Sequence, residues 1–172
     1  YHTNLLKLIL MGKYNYEEIG LKVGLEIHQQ LNSHTKLFCR CPNELQGSKE
    51  PDFEVRREMR PVLGEMGAFD KAMLTEYEKN IDIIYEGYNT SICTYELDET
   101  PPFSCNTEAK EIAAQISLLL NANIIPEMHV CRKNYLDGSV PCGFQRTMIF
   151  AKDGYVELEN GKKIGIDILC LE

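Results

Sequence analysis

The sequence predicts an α+β domain built on a mixed or antiparallel sheet with helices, and three observations carry that expectation. Strand-like alternation runs through Ile19–Leu31. A capped, amphipathic helical stretch sits in "NTEAKEIAAQISLLLNAN". Two turn signals, "KDG" and "NG", separate apolar runs near the C-terminal end.

In chain order, Ile19–Leu31 places Leu21, Val23, Leu25 and Ile27 on one face and Lys22, Gly24, Glu26 and His28 on the other. That is the period of a strand. It points Glu26 and His28 the same way, roughly 7 Å apart along the chain, and predicts that they face a cleft. Asn43–Arg57 is polar and interrupted by Pro and Gly, so a loop is expected. Met73, Tyr77, Ile81 and Ile84 recur at helical spacing and predict a helix over Asp70–Ile84. Tyr88–Leu97, rich in β-branched and aromatic residues, reads as a strand.

Asn106 or Thr107 can cap the next helix, with Glu108 in its first turn. Its apolar face is Ile112, Ala113, Ile116, Leu119 and Leu120, and Asn121 or Asn123 can end it. A strand is expected at Ile124–Cys131 and a turn at Asp137–Gly138. A hairpin about Asp153–Gly154 would join Gln145–Ala151 to Tyr155–Leu158. After a second turn at Asn160–Gly161, a closing strand covers Ile164–Leu171. That strand meets Glu172 without a turn or cap. The chain is therefore expected to be the N-terminal part of a longer domain, incomplete at its C-terminus. Met11 reads as the start, residues 1–10 as a non-native or disordered extension, and 11–172 as the domain.

The 172 residues carry a net charge of −8 and are 44% apolar. Such a chain can bury a core, and its main task is not the neutralisation of phosphates. No apolar run is long enough to span a bilayer, so no membrane role is expected. Seven cysteines is an odd number, which suits reduced thiols in a cytoplasmic protein better than a disulfide framework. His34 and His129 have no partner at metal spacing, and Cys105, Cys131, Cys142 and Cys170 show no catalytic spacing. Arg56, Arg57 and Arg60 could touch RNA phosphate, although such a run is more often a solvated face.

Several ordered motifs carry a resemblance. "GLKVGLEIHQQLNSHTKLFCRCP", "TEAKEIAAQISLLLNANI", "RKNYLDGSVPCGFQRT" and "ILCLE" together resemble the family formed by the B-type and E-type subunits of tRNA-dependent amidotransferases. Their spacing is closer to that of the archaeal E-type. The resemblance covers Gly20–Glu172. It implies a catalytic domain of the glutamine synthetase–guanido kinase type. The implied work is ATP- and Mg²⁺-dependent phosphorylation of the glutamate side chain on mischarged tRNA(Gln). Ammonia released by an asparaginase-like amidotransferase subunit, the D-type, then displaces phosphate to give Gln-tRNA(Gln).

The resemblance also implies site residues. Glu26, His28 and Glu172 become catalytic, as candidate Mg²⁺ ligands. From the strand pattern alone, a solvated face would be preferred for Glu26 and His28. Arg132, Lys133, Tyr135, Gln145 and Arg146 become candidates for binding the nucleotide or the tRNA acceptor end. Their residue types suit phosphate and base contacts. Taken singly, each of them is more readily read as a surface charge or an edge-packing residue. In the B-type, two pairs, Cys-x-Cys and a later Cys-x-x-Cys, form a zinc knuckle. Cys39, Cys41 and Cys93 match three of those positions, and Glu96 stands at the fourth. Three thiols and a carboxylate are an uncommon zinc set, so zinc is not expected and packed, reduced cysteines are. A non-catalytic module that docks tRNA or another subunit is the alternative from another class. The B-type itself is a further alternative, which the broken Cys-x-x-Cys disfavours.

Overall fold

The computed structural model describes residues 14–172, apart from Ser48, Met59 and Glu65. The expected start at Met11 and the extension over residues 1–10 lie outside the described residues. The chain divides into two units, Tyr1–Gln30 and Leu31–Glu172.

In the first unit, residues 15–21 close as a turn. The Ile19 N–H donates to the Asn15 carbonyl at 3.1 Å and the Leu21 N–H to that of Tyr16 at 3.0 Å. Residues 21–30 then form no regular element, and their side chains are exposed. The strand expected over Ile19–Leu31 is thus not formed. Alternation marks a segment able to lie half-buried on a sheet, but a strand also needs a neighbour to take up its N–H and C=O groups. No described ladder includes this segment.

The second unit holds two sheets. Strands β1 (Phe53–Glu58) and β2 (Asp82–Gly87) form an antiparallel ribbon, with helix α1 (Lys71–Glu78) between them in the chain. The loop expected over Asn43–Arg57 therefore ends at β1. Phe53, Val55 and Arg57 are partly buried while Glu54, Arg56 and Glu58 are exposed, so the high charge of this stretch hid a period of two. Helix α1 is shorter than expected. Asp70 caps it, accepting from the Ala72 N–H at 2.7 Å, and Asn80, at φ 48°, turns the chain into β2. The predicted strand at Tyr88–Leu97 is instead a turn followed by a 3₁₀ turn over Thr94–Leu97. Strand propensity gave way there to the capping of that turn by Glu96, whose carboxylate accepts from the Cys93 N–H at 3.0 Å.

The main sheet is organised on β5 (Phe144–Glu157), 14 residues long. Strands β3 (Asn123–Ile124), β4 (Cys131–Asn134) and β6 (Lys163–Leu171) all pair with β5, antiparallel. The single strand expected at Ile124–Cys131 is split into β3 and β4 by a stretch containing Pro126, which has no N–H to donate. The Asp153–Gly154 pair is not a hairpin turn. Asp153 does adopt φ 55°, yet β5 runs through it and stays paired with β6 on both sides. The glycine serves another purpose. A Cβ on Gly154 would lie 2.8 Å from the Leu120 carbonyl oxygen and 2.9 Å from the Ala122 Cβ. The true hairpin turn is at Asn160–Gly161, as the second signal predicted, with Gly161 at φ 78°. Strand β5 also carries a bulge between Ile149 and Ala151, so Phe150 and Ala151 are consecutive and both buried.

Helix α2 (Thr107–Leu119) lies over this sheet. Its buried line is Ala109, Ala113 and Ser117 rather than the larger residues predicted, and Leu119 is 81% exposed. Small side chains at i, i+4 and i+8 let the helix approach the sheet closely, and Ile112 and Ile116 are only half-buried beside them. The buried Ser117 hydroxyl is satisfied by the Ala113 carbonyl at 2.7 Å. The core consists of Phe38, Ala113, Ala122, Met148, Phe150, Ala151 and Leu171.

The N-terminus of α2 anchors the loop that precedes β1. Asn106 caps the helix, accepting from the Ala109 N–H at 3.3 Å. Its side-chain amide donates to the Thr35 carbonyl and hydroxyl at 2.9 and 2.8 Å. His34, expected to lie in a loop without a metal-spaced partner, pairs with Glu108 at 2.8 Å. The His34 backbone N–H holds that carboxylate below its usual range. We expect Asn106→Ala to cost about 1–2 kcal/mol, measured as a shift of the denaturant midpoint, because it removes the cap and a link to Thr35 together. Asn106→Asp should recover the cap and not the Thr35 link, and so fall between the two. Gly154→Ala should cost about 1–3 kcal/mol by pushing β5 away from the end of α2.

Candidate functional site

The pleat of β5 assigns the predicted residues to faces. Arg132 is paired with Arg146, Lys133 with Gln145 and Cys131 with Thr147. Paired residues share a face, and neighbours in sequence alternate. Lys133, Gln145 and Thr147 therefore look one way, and Arg132, Phe144 and Arg146 the other.

The second of these faces is a packing face. Arg146 lies 4.8 Å from the Tyr95 ring and 4.9 Å from that of Phe144, and it pairs with Asp98 at 3.3 Å. Its side chain is only 11% exposed. Arg132 stacks on the same Phe144 ring at 4.4 Å. Arg146 thus has a structural occupation that sequence reading did not foresee, and Asp98 is the partner it missed.

The first face gathers polar groups. Glu172 follows β6 directly, and Leu171 pairs with Met148, which brings Glu172 alongside Thr147. The Thr147 hydroxyl donates to Glu172 Oε2 at 2.9 Å. Lys133 Nζ lies 3.9 Å from the same oxygen. It is also 5.6 Å from the Tyr135 ring, whose residue is tied to Gly143 by a backbone hydrogen bond of 2.8 Å. The Glu172 side chain is 18% exposed, reachable yet partly withdrawn from water. Period-two spacing from Gln145 could have singled out Thr147 in the sequence.

Beside these residues is a cavity of about 590 Å³. The β1–β2 ribbon gives it apolar walls, including Phe53, Val55 and Ile84, and Gln145, Arg146 and Glu172 line it too. Such a mostly apolar hollow with a few polar groups suits a small molecule or a nucleotide end. Arg56 and Arg57, considered for RNA, have other roles on β1. Arg56 pairs with Asp82, and Arg57 donates to the Leu97 carbonyl at 2.8 Å.

Glu26 and His28 belong to the first unit. Their side chains pair at 3.1 Å, as two residues on one side of the chain can. Glu26 is 76% and His28 65% exposed.

The cysteine positions converge. Thr35 and Pro42 form a bridge that closes a knuckle around Cys39 and Cys41, and the 3₁₀ turn brings up Cys93 and Glu96. The three sulfurs and one Glu96 carboxylate oxygen all lie within 4.8 Å of one another. Glu96 is steered there by Lys36, whose ammonium pairs with it and donates to the Ser91 carbonyl at 2.7 Å. Burial, with hydrogen bonds to Cys93 and Cys39, pushes the Cys41 thiol up to about 12, and burial raises Cys39 as well. Those thiols resist ionisation unless a cation is present to share the charge. Thiolates and a carboxylate are zinc donors, so this set fits that ion in number, chemistry and proximity. Cys39, Cys41, Cys93 and Glu96 together offer four donors.

The chain is similar to known proteins. The family model described as the GatB/GatE catalytic domain matches residues 21–172. The chain is 51% identical over 158 residues to the E subunit of the glutamyl-tRNA(Gln) amidotransferase of Methanocaldococcus jannaschii. It is 49% identical over 159 residues to the protein of the same name from Methanococcus vannielii. Identity is 48% over 162 residues to that of Methanosarcina barkeri. These alignments cover 92%, 92% and 94% of the chain and 25% of each relative, so the chain spans about a quarter of the length of the curated relatives it matches. With the model match running through most of its residues, the chain belongs to the GatB/GatE catalytic-domain family.

Proposed function

We propose that this chain supplies part of the catalytic domain of the ATP-dependent subunit of a glutamyl-tRNA(Gln) amidotransferase. The observation that carries the reading is the juxtaposition of Glu172, Thr147, Lys133 and Gln145 on one sheet face beside the 590 Å³ cavity. The names of relatives about half identical to the chain supply the substrate. The reaction is phosphorylation of the glutamate side chain on mischarged tRNA(Gln), followed by displacement with ammonia from an asparaginase-like partner of the D-type. A guanido-kinase-type fold and a cytoplasmic location are part of this reading.

The residues present fit Mg²⁺ and ATP in chemistry. Glu172 is a partly exposed carboxylate, a hard oxygen donor beside a hollow of nucleotide-like character. Glu172 would hold Mg²⁺, which offsets charge on the transferring phosphoryl group, and Glu26 and His28 of the first unit are proposed separately as ligands of that ion type. Lys133 offers a mobile cation for a phosphate or carboxylate oxygen, and Gln145 a neutral donor and acceptor. The apolar cavity wall keeps water from the acceptor end. Tyr135, beside Lys133, and Arg132, on the opposite face, would contact the nucleotide or the tRNA end. Arg146 contributes by holding Phe144 and Tyr95 in the wall.

The cysteine cluster, in this reading, is a structural zinc site held by Cys39, Cys41, Cys93 and Glu96. Sequence alone weighed against zinc; the convergence of the four donors is the observation that favours it. Bound there, zinc would tie the knuckle to the 3₁₀ turn in the cavity wall.

Two measurements test these readings. In the full-length protein, with ammonia supplied directly, Glu172→Gln and Glu26→Gln should each lower ATP-dependent formation of Gln-tRNA(Gln) at least about 100-fold. Affinity for tRNA at fixed salt should stay nearly constant. Normal turnover with lost tRNA affinity would replace the enzyme reading with a docking module. For the cluster, Co²⁺ should produce a thiolate-to-metal absorption band that is abolished by Cys39→Ser. Apparent affinity should rise with pH, since each raised thiol must give up its proton to bind. Absence of the band would remove the zinc reading.

A further inference from the structure

Resting on the metal role proposed for Glu172, we propose that Thr147 is a positioning residue that fixes the Glu172 carboxylate for its cation. Thr147 is 8% exposed and lies on the central strand β5, with β4 pairing on its own residue and β6 on the residue after it. Its hydroxyl donates to Glu172 Oε2 at 2.9 Å. The same oxygen has Lys133 Nζ 3.9 Å away.

That geometry creates a competition. An ammonium on a flexible stem draws a carboxylate toward itself, and a carboxylate drawn into an ion pair is a poorer metal ligand. A hydroxyl on a β-branched side chain has few rotamers, and burial on a central strand fixes it further. It donates a hydrogen bond without bringing a positive charge. Thr147 therefore sets the direction of the carboxylate against the pull of Lys133. This is the part played by outer hydrogen-bond partners of metal ligands in general, whose loss weakens binding about 10–100-fold.

The residue type matters in a specific way. Valine has the shape and strand preference of threonine without the donor, and serine keeps the donor without the methyl group. In the full-length protein, Mn²⁺ bound in the presence of a non-hydrolysable ATP analogue is read by electron paramagnetic resonance. Thr147→Val should raise the Mn²⁺ dissociation constant about 10-fold. Thr147→Ser should restore most of the affinity, while the unfolding midpoint without metal follows packing alone and is lowered more by Ser. Should the valine variant fail to fold, Thr147→Ala takes its place in the same titration. Parental Mn²⁺ affinity in Thr147→Val, or a Ser variant as weak as Val, overturns the proposal. If those results come with Mn²⁺ binding lost in Glu172→Gln, only the role of Thr147 falls. If Glu172→Gln binds Mn²⁺ normally, the metal role of Glu172 and the proposal fall together.

Discussion

The ladder about β5 is the constraint on which the rest of this unit depends. One strand accepts three neighbours, so its pleat decides for all of them which side chains meet. Phe144, Arg146, Met148 and Phe150 go to the packed side, where Tyr95 and the core receive them. Gln145 and Thr147 go to the side where Lys133 and Glu172 stand. Core and site are thus two readings of one stretch of backbone. A rigid two-faced element is a better platform for polar groups than a loop, because packing on one face holds the rotamers of the other.

A second scaffold holds the wall of the cavity. The knuckle around Cys39 and Cys41 is fastened to α2 through Asn106 and Glu108, and to the main chain before the helix through backbone bonds from Phe103 and Asn106. It meets the 3₁₀ turn through Lys36, Glu96 and the sulfurs. Lys36, Glu96, Phe38 and Tyr95 also line the cavity. The cysteines are therefore not a separate ornament on the surface. They are clustered with Glu96, which itself lines the hollow.

Much of this was legible in the residues, and the failures share a cause. The α2 cap at Asn106, the Asn160–Gly161 turn and the turn at Gly138 follow from local chemistry, which needs only a few neighbours. Elements that depend on partners distant in sequence were misread. Charge concealed the alternation of β1, and propensity overstated a strand at Tyr88–Leu97. The Asp153–Gly154 signal correctly reported a positive φ, but whether such a kink turns a chain or merely bends a strand is settled by what packs against it, here Leu120 and Ala122. In the site, motif position grouped Gln145 with Arg146, yet adjacency in a strand is opposition in space. The hydrogen bond from Thr147 and the arrival of Lys36 at Glu96 depend on register and tertiary approach, which no spacing rule supplies.

The bulge at Phe150 has a consequence for which changes of length this family member can accept. Before it, odd-numbered residues of β5 face the open side; after it, odd-numbered Ala151 is in the core. Strand β6 has no matching slip, so Leu169 and Leu171 both stay inward while β5 changes phase beside them. The extra residue acts as a half-wavelength plate in the strand. Remove it and Ile149 and Ala151 become neighbours opposite Cys170 and Leu169, the ladder closes without a slip, and Gln145 and Thr147 keep their face while the core loses the Phe150 ring. Length at this one point can therefore change without exchanging the wet face and the dry face, because the β6 ladder holds both halves of β5 in phase, whereas a residue lost from the regular ladder on either side has no such slack.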